Sequence, residues 1–215
     1  ALIVEPIQGR AGMRVPPRQF LNTLRRLCNR NKALLILDEI YTGFGRTGEW
    51  FACEHDKVIP DIICLGKALT NGFPLSACIG KAETMDRAWS ASTGEAIHTS
   101  TYLGHPVGCA MALAQIRELK KKKLIPRVKR LGRLLKRLIT AHNSPHIKHV
   151  GLGLMAGLKL PSDGLAMPIV KEMLQHGYIF LPAGEHGDVI TFTPPFTITD
   201  KQLGSAVHAL HSALA

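Results

Sequence analysis

The sequence predicts an α/β protein in which a mainly parallel sheet, covered by helices, is followed by a smaller α+β unit. Three observations carry this. Short, largely apolar runs recur at Leu2 to Glu5, Ala33 to Asp38, Ile62 to Leu65 and Ser76 to Gly80. They are continuous rather than alternating and are interrupted by helical periodicity, as in strands of a parallel sheet buried on both faces. From about Pro145 the order changes to strand, helix, strand, strand, helix.

Leu2 to Glu5 is the first strand. Pro16-Pro17 opens a helix with apolar positions Phe20, Leu21, Leu24, Leu27 and Cys28, since the fixed φ of proline suits a first helical turn. Ala33 to Asp38, Ile62 to Leu65 and Ser76 to Gly80 supply further strands, and a long helix begins at Pro106 and runs through Met111, Ile116 and Leu119. The later unit reads as a strand at Leu152 to Leu160, a helix at Pro168 to His176 closed by Gly177, and strands at Tyr178 to Leu181 and Val189 to Thr193. A final helix is announced by the capping box Thr199-x-x-Gln202 and the stripe Leu203, Val207, Leu210, Leu214.

With 215 residues, 46% hydrophobic and 20% charged, the composition is that of a soluble globular protein. No run approaches the roughly 20 apolar residues of a membrane span. The five cysteines are odd in number, scattered and without a C-x-x-C pair, which favours reduced thiols in a cytoplasmic setting over disulfides or a metal site. Much of the net charge of +11 falls between Lys120 and Arg137, where Val128, Leu131, Leu135 and Ile139 recur at helical spacing. An amphipathic helix with a solvated basic face explains this better than a nucleic-acid or membrane surface, because no nucleic-acid motif or interleaved aromatic accompanies it. The chain starts without methionine, inside an apolar run, and is expected to be a piece of something longer.

The chemistry lies at two strand ends. Asp38 closes one apolar run and Lys67 follows another, within Leu65-Gly66-Lys67-Ala68-Leu69. Pyridoxal phosphate chemistry needs this pair: an amine for the cofactor aldehyde, and a carboxylate that keeps the ring nitrogen protonated. In parallel sheets, ligands sit beyond the carboxyl ends of strands. Gly43-Phe44-Gly45-Arg46-Thr47-Gly48 matches G-x-G-x-x-G, but Asp38 to Thr42 separate it from the strand and no acid ends a following strand at the required distance. Its glycines are expected to let a loop pass close to a ligand or a subunit neighbour.

Val4-Glu5-Pro6-Ile7-Gln8-Gly9, Leu37-Asp38-Glu39-Ile40, the glycine motif, Pro60-Asp61-Ile62, Gly66-Lys67-Ala68-Leu69 and His98-Thr99-Ser100-Thr101-Tyr102 together resemble the class III aminotransferases. The resemblance implies fold type I and dependence on pyridoxal 5'-phosphate, with residues 1–124 as the later part of the cofactor-binding large domain and 125–215 as the small C-terminal domain. It further implies ping-pong transfer of an amino group from an amine or amino acid to a 2-oxo acid. Lys67 resembles the Schiff-base lysine and Asp38 the partner of the pyridine nitrogen. Thr101 resembles the threonine that reaches the cofactor phosphate of a neighbouring subunit, which implies a homodimer with shared sites, and Ser100 beside it is a further expected cofactor-binding residue.

The departures bear on substrate. Tyr41 stands where many members have glutamine beside the cofactor ring oxygen. Arg10 and Thr191 stand where ornithine-type members have a glutamate and the arginine it holds, so the carboxylate switch of that type is expected to be missing and Arg10 to bind an acidic substrate group or face solvent. Family members are longer at the front, where the phosphate cradle lies. Other chemistry on the same cofactor (aminomutase, decarboxylase or lyase), or a non-catalytic fragment serving as an interaction module, are the competing readings.

Overall fold

The structure, a computed structural model, describes residues 1–89, 94, 98, 100–141 and 146–214; Thr99 and Pro145 lie outside them. The first sheet has strands β1 (Leu2–Val4), β2 (Leu35–Asp38), β3 (Ile62–Leu65) and β4 (Ala77–Gly80), in that spatial order. β1, β2 and β3 are parallel, with Leu37 opposite Val4 and Ile63. β4 runs antiparallel to β3. The 11 residues between Leu65 and Ala77 hold only one short 3-10 helix, Lys67–Leu69, so no crossover helix returns the chain for a parallel pairing.

Helix α1 (Phe20–Arg30) starts three residues beyond Pro17, after Gln19 takes φ 68°, and buries Leu21 and Cys28 against Leu35 and Leu37. A seven-residue helix α2 (Ala82–Ala88), too short to announce itself by periodicity, follows β4. Helices α3 (Pro106–Lys121) and α4 (Leu124–Thr140) divide the lysine run between them, Lys123 taking φ 49° at the junction.

The second sheet is antiparallel throughout: β5 (Lys148–Leu152), β6 (Met155–Lys159), β7 (Leu181–Ala183) and β8 (Val189–Phe192), in the order β5-β6-β8-β7. The strand expected over Leu152 to Leu160 corresponds to β6, and the sequence reading missed β5, which precedes it and pairs with it as a hairpin. Gly153, with φ 62°, and Leu154 turn the chain between β5 and β6, and an apolar count does not register that reversal. Helices α5 (Ala166–Gln175) and α6 (Asp200–Ser212) cover this unit, and the Thr199–Gln202 capping box forms.

One apolar cluster joins the two sheets, from Phe44 and Leu65 through Leu119 and Leu131 to Leu158 and Phe192. The basic helix is α4. Val128, Leu131, Leu135 and Ile139 are buried, while Arg127 donates to the carbonyls of Phe196 (2.9 Å) and Ile198 (2.6 Å). Lys129 pairs with Glu49 at 2.6 Å and Arg130 with Asp200 at 2.7 Å. Part of the positive charge therefore binds this chain to itself.

Candidate active site

Parallel pairing brings the ends of β2 and β3 level. Asp38 is the register partner of Cys64, and the Glu39 amide donates to the Cys64 carbonyl at 2.9 Å. Lys67 lies three residues beyond Cys64, on the 3-10 turn that follows β3, so the sheet delivers a carboxylate and an amine to the same edge. Lys67 has φ 37°, a conformation that a non-glycine residue adopts at a cost of about 1–3 kcal/mol. Backbone strain of this kind gathers where a side chain must point in one direction. Gly66 lies close to Ile40, whose Cγ2 would stand 3.3 Å from an added Cβ.

Asp38 is half-buried. One carboxylate oxygen accepts from the Ile40 amide at 3.0 Å, leaving the other without a hydrogen bond among the described residues. The ammonium of Lys67 makes no ion pair there either and stands 4.7 Å from the centroid of the Tyr41 ring. That ring packs on Gly9, where an added Cβ would lie 2.4 Å from its Cδ1. The β1 loop thus fixes the wall against which Lys67 rests.

The other predicted residues lie apart. Arg10 is exposed, and its carbonyl accepts from the Gly184 amide at 3.1 Å, which ties this loop to the end of β7. Thr191 is buried in β8, where its hydroxyl donates to the Leu181 carbonyl at 3.0 Å. Ser100 and Thr101 are exposed and make no hydrogen bond to Lys67, Asp38 or Tyr41; the Ser100 carbonyl accepts from Leu103 at 3.1 Å.

Sequence reasoning missed two residues that brace the chain after β2. Glu39 is fully buried and accepts from the Thr42 hydroxyl and the amides of Ala52 (2.9 Å) and Cys53 (2.8 Å). Burial, reinforced by Glu39, pushes the Cys53 thiol up to about 12. Strand alternation offered the signal, since Asp38 and Glu39 must point to opposite sides of the sheet.

Arg46 is the second. Its Nη1 donates to the Pro194 carbonyl at 2.8 Å, and its guanidinium lies 4.6 Å from the Phe196 ring centroid. Burial lowers its pKa to about 10, partly opposed by Tyr41. Within this chain the surrounding glycines lie close to α4. Gly45 (φ 94°) would place a Cβ 2.8 Å from Ile125, and Gly48 (φ 98°) would place one 3.2 Å from Lys129. The loop needs glycine because α4 of the same chain passes over it. Among the described residues, no group of three or more His, Cys, Asp or Glu side chains is placed to hold a metal ion.

Residues 1–214 match the family model described as Aminotransferase class-III. The chain belongs to that family. It is 38% identical over 211 residues to ornithine aminotransferase 1 of Staphylococcus aureus (strain COL), covering 97% of this chain and 51% of that protein. It is equally 38% identical over 224 residues to 4-aminobutyrate aminotransferase of Mycobacterium leprae, covering 100% of this chain and 49% of the relative. Among solved structures, acetylornithine aminotransferase from Elizabethkingia anophelis superposes with a TM-score of 0.89 at 35% identity, covering 98% of this chain and 55% of the other. This class III chain spans about half the length of the curated relatives it matches.

Proposed function

We propose that the protein to which this chain contributes is a pyridoxal-phosphate-dependent transaminase, moving an amino group from an amine or amino acid to a 2-oxo acid by a ping-pong mechanism. The observation that supports this is that Asp38 ends one strand and Lys67 follows the end of the adjacent parallel strand, each with a polar atom lacking a hydrogen bond or ion-pair partner among the described residues. Membership of the class III family supports it.

The residues fit the cofactor. A strained lysine lies against an aromatic wall, and the neighbouring strand ends in a half-buried carboxylate with an oxygen to spare, as an aldehyde and a protonated ring nitrogen require. Pyridoxal phosphate, when bound, supplies the aldehyde that takes up the amino group and the ring that accepts the substrate's electron pair. Asp38 holds a proton on the ring nitrogen, and its half-buried position keeps that attraction from being screened by water. Lys67 supplies the amine and moves the proton at the substrate Cα. Tyr41 sets the direction of Lys67. Exposed Arg10 binds an acidic substrate group. Ser100 and Thr101 reach the cofactor phosphate of a second copy, in a cytoplasmic homodimer with shared sites. Residues 1–124 belong to the cofactor domain and 125–215 to the small domain. No helix among the described residues is long and apolar enough to cross a membrane.

Borohydride reduction after addition of pyridoxal phosphate, followed by peptide mapping, tests the reading. Labelling is expected on the Lys67 peptide and lost in Lys67→Ala. Labelling spread evenly over surface lysines and unchanged by Lys67→Ala would overturn it. With an amino donor, a keto product in stoichiometric yield distinguishes transamination from elimination or decarboxylation.

A further inference from the structure

Cys64 on β3 and Cys78 on β4 are direct partners in the antiparallel register, so their side chains leave the sheet on the same face. The Cys78 thiol is near enough to raise the pKa of Cys64. Cys64 is half-buried and Cys78 exposed. Cys78 also lines a cavity of about 500 Å³ whose wall includes Lys32, Glu83, Arg87 and Trp89. Reduced thiols at unrelated positions need no such arrangement; here an accessible thiol opens onto a partly cationic cavity with a second thiol behind it.

We propose that Cys64 and Cys78 form a dithiol site that reacts with an anionic low-molecular-weight disulfide and closes into a cross-strand disulfide. The Cys78 thiolate attacks one sulfur of the small disulfide, whose S–S bond breaks and releases one small thiol. Cys64 then gives up its proton and attacks the Cys78 sulfur, expelling the second small thiol. Two protein thiols are oxidised by two electrons and one small disulfide is reduced to two thiols, so the exchange balances. The order follows from position: burial, the Cys78 thiol and Asp38 all raise the pKa of Cys64, which keeps it protonated until the mixed disulfide is in place.

Closure also moves the backbone. Directly opposed residues in an antiparallel pair hold their Cβ atoms about 4.5–5.5 Å apart, whereas a disulfide brings them to about 3.8 Å. β3 is drawn toward β4 at Cys64, whose carbonyl holds the Glu39 amide and which lies three residues before Lys67.

Oxidised glutathione is the probe. The purified protein is incubated with it, remaining thiols are alkylated, and peptides are mapped by mass spectrometry. The expected result is a Cys64–Cys78 cross-linked peptide as the dominant product, absent in Cys78→Ser. In Cys64→Ser the glutathione adduct on Cys78 should persist at a level at least tenfold above wild type. The proposal is overturned if the wild-type adduct on Cys78 persists with Cys64 free, or if neither thiol reacts. It is equally overturned if protein unfolded in guanidinium gives the same distribution of cross-links.

Discussion

Lys67 and Gly9 are coupled through one ring: Tyr41 stands 4.7 Å from the lysine ammonium on one side and leaves no room for a Cβ on Gly9 on the other. Gly9→Ala places a methyl 2.4 Å from the ring edge, so the ring must move. An ammonium–aromatic contact is worth about 0.5–1 kcal/mol at an exposed site, equivalent to roughly two- to fivefold in an equilibrium. Gly9→Ala is therefore expected to weaken cofactor labelling at Lys67 by about that factor. The Gly9→Ala/Tyr41→Leu double variant should be no worse than Tyr41→Leu alone, because both changes act through the same contact. Labelling yield against pyridoxal phosphate concentration checks this; additive losses would separate the two residues.

Asp61 anchors the first sheet. Burial alone would raise its pKa, but hydrogen bonds from the Leu35 amide (2.8 Å), Lys81 (2.9 Å) and Arg25 (2.7 Å) hold it at about 2, below the usual 3.8. A depressed carboxylate stabilises the fold fully above its unfolded pKa, and that contribution disappears as the pH falls through the folded value. Asp61→Asn is expected to cost about 2 kcal/mol at neutral pH and to flatten the loss of stability between pH 4 and 2. Urea titrations at pH 7, 4 and 2 measure both effects.

What the sequence disclosed, and what it hid, divides along physical lines. The runs ending at Asp38 and Leu65 are apolar enough to declare buried strands, and the parallel register then brings Asp38 and Lys67 to one edge. The capping box at Thr199 is a local hydrogen-bond pattern, and it forms where the residues require it. The β5–β6 hairpin stayed hidden because its reversal depends on the positive φ of Gly153 rather than on any change in hydropathy. Arg46 was illegible for a different reason. Its partners Pro194 and Phe196 lie almost 150 residues away, and no local pattern encodes such a contact.

His149 makes stability sensitive to acid. Its Nε2 is buried without a hydrogen-bond partner, and burial, together with Lys136, lowers its pKa to about 4 from 6.5. The unfolded chain therefore binds the extra proton first, so stability should fall as the pH drops from 6.5 to 4 and show no further loss from this group below that. Allowing for solvent screening, the effect is about 1–2 kcal/mol. His149→Leu is expected to remove this slope and leave stability at pH 7 nearly unchanged. Denaturation midpoints at pH 7, 5.5 and 4 decide the matter, and an unaltered slope in the variant would assign the acid limb elsewhere.

Arg46 joins the glycine loop to the second sheet, and its loss should be felt as stability rather than chemistry. Arg46→Met keeps the apolar stem but leaves the Pro194 carbonyl without its charged donor and removes the cation from the Phe196 face. Together these contacts are worth about 2–3 kcal/mol. Arg46→Lys should recover less than half of that, because a single ammonium cannot donate in a planar fork and stack on the ring at once. Guanidinium unfolding with an unchanged slope and a lowered midpoint is the expected signature. Under conditions where both proteins remain folded, cofactor labelling at Lys67 should be the same in Arg46→Met and wild type. A selective loss of labelling would instead give Arg46 a part in orienting Tyr41.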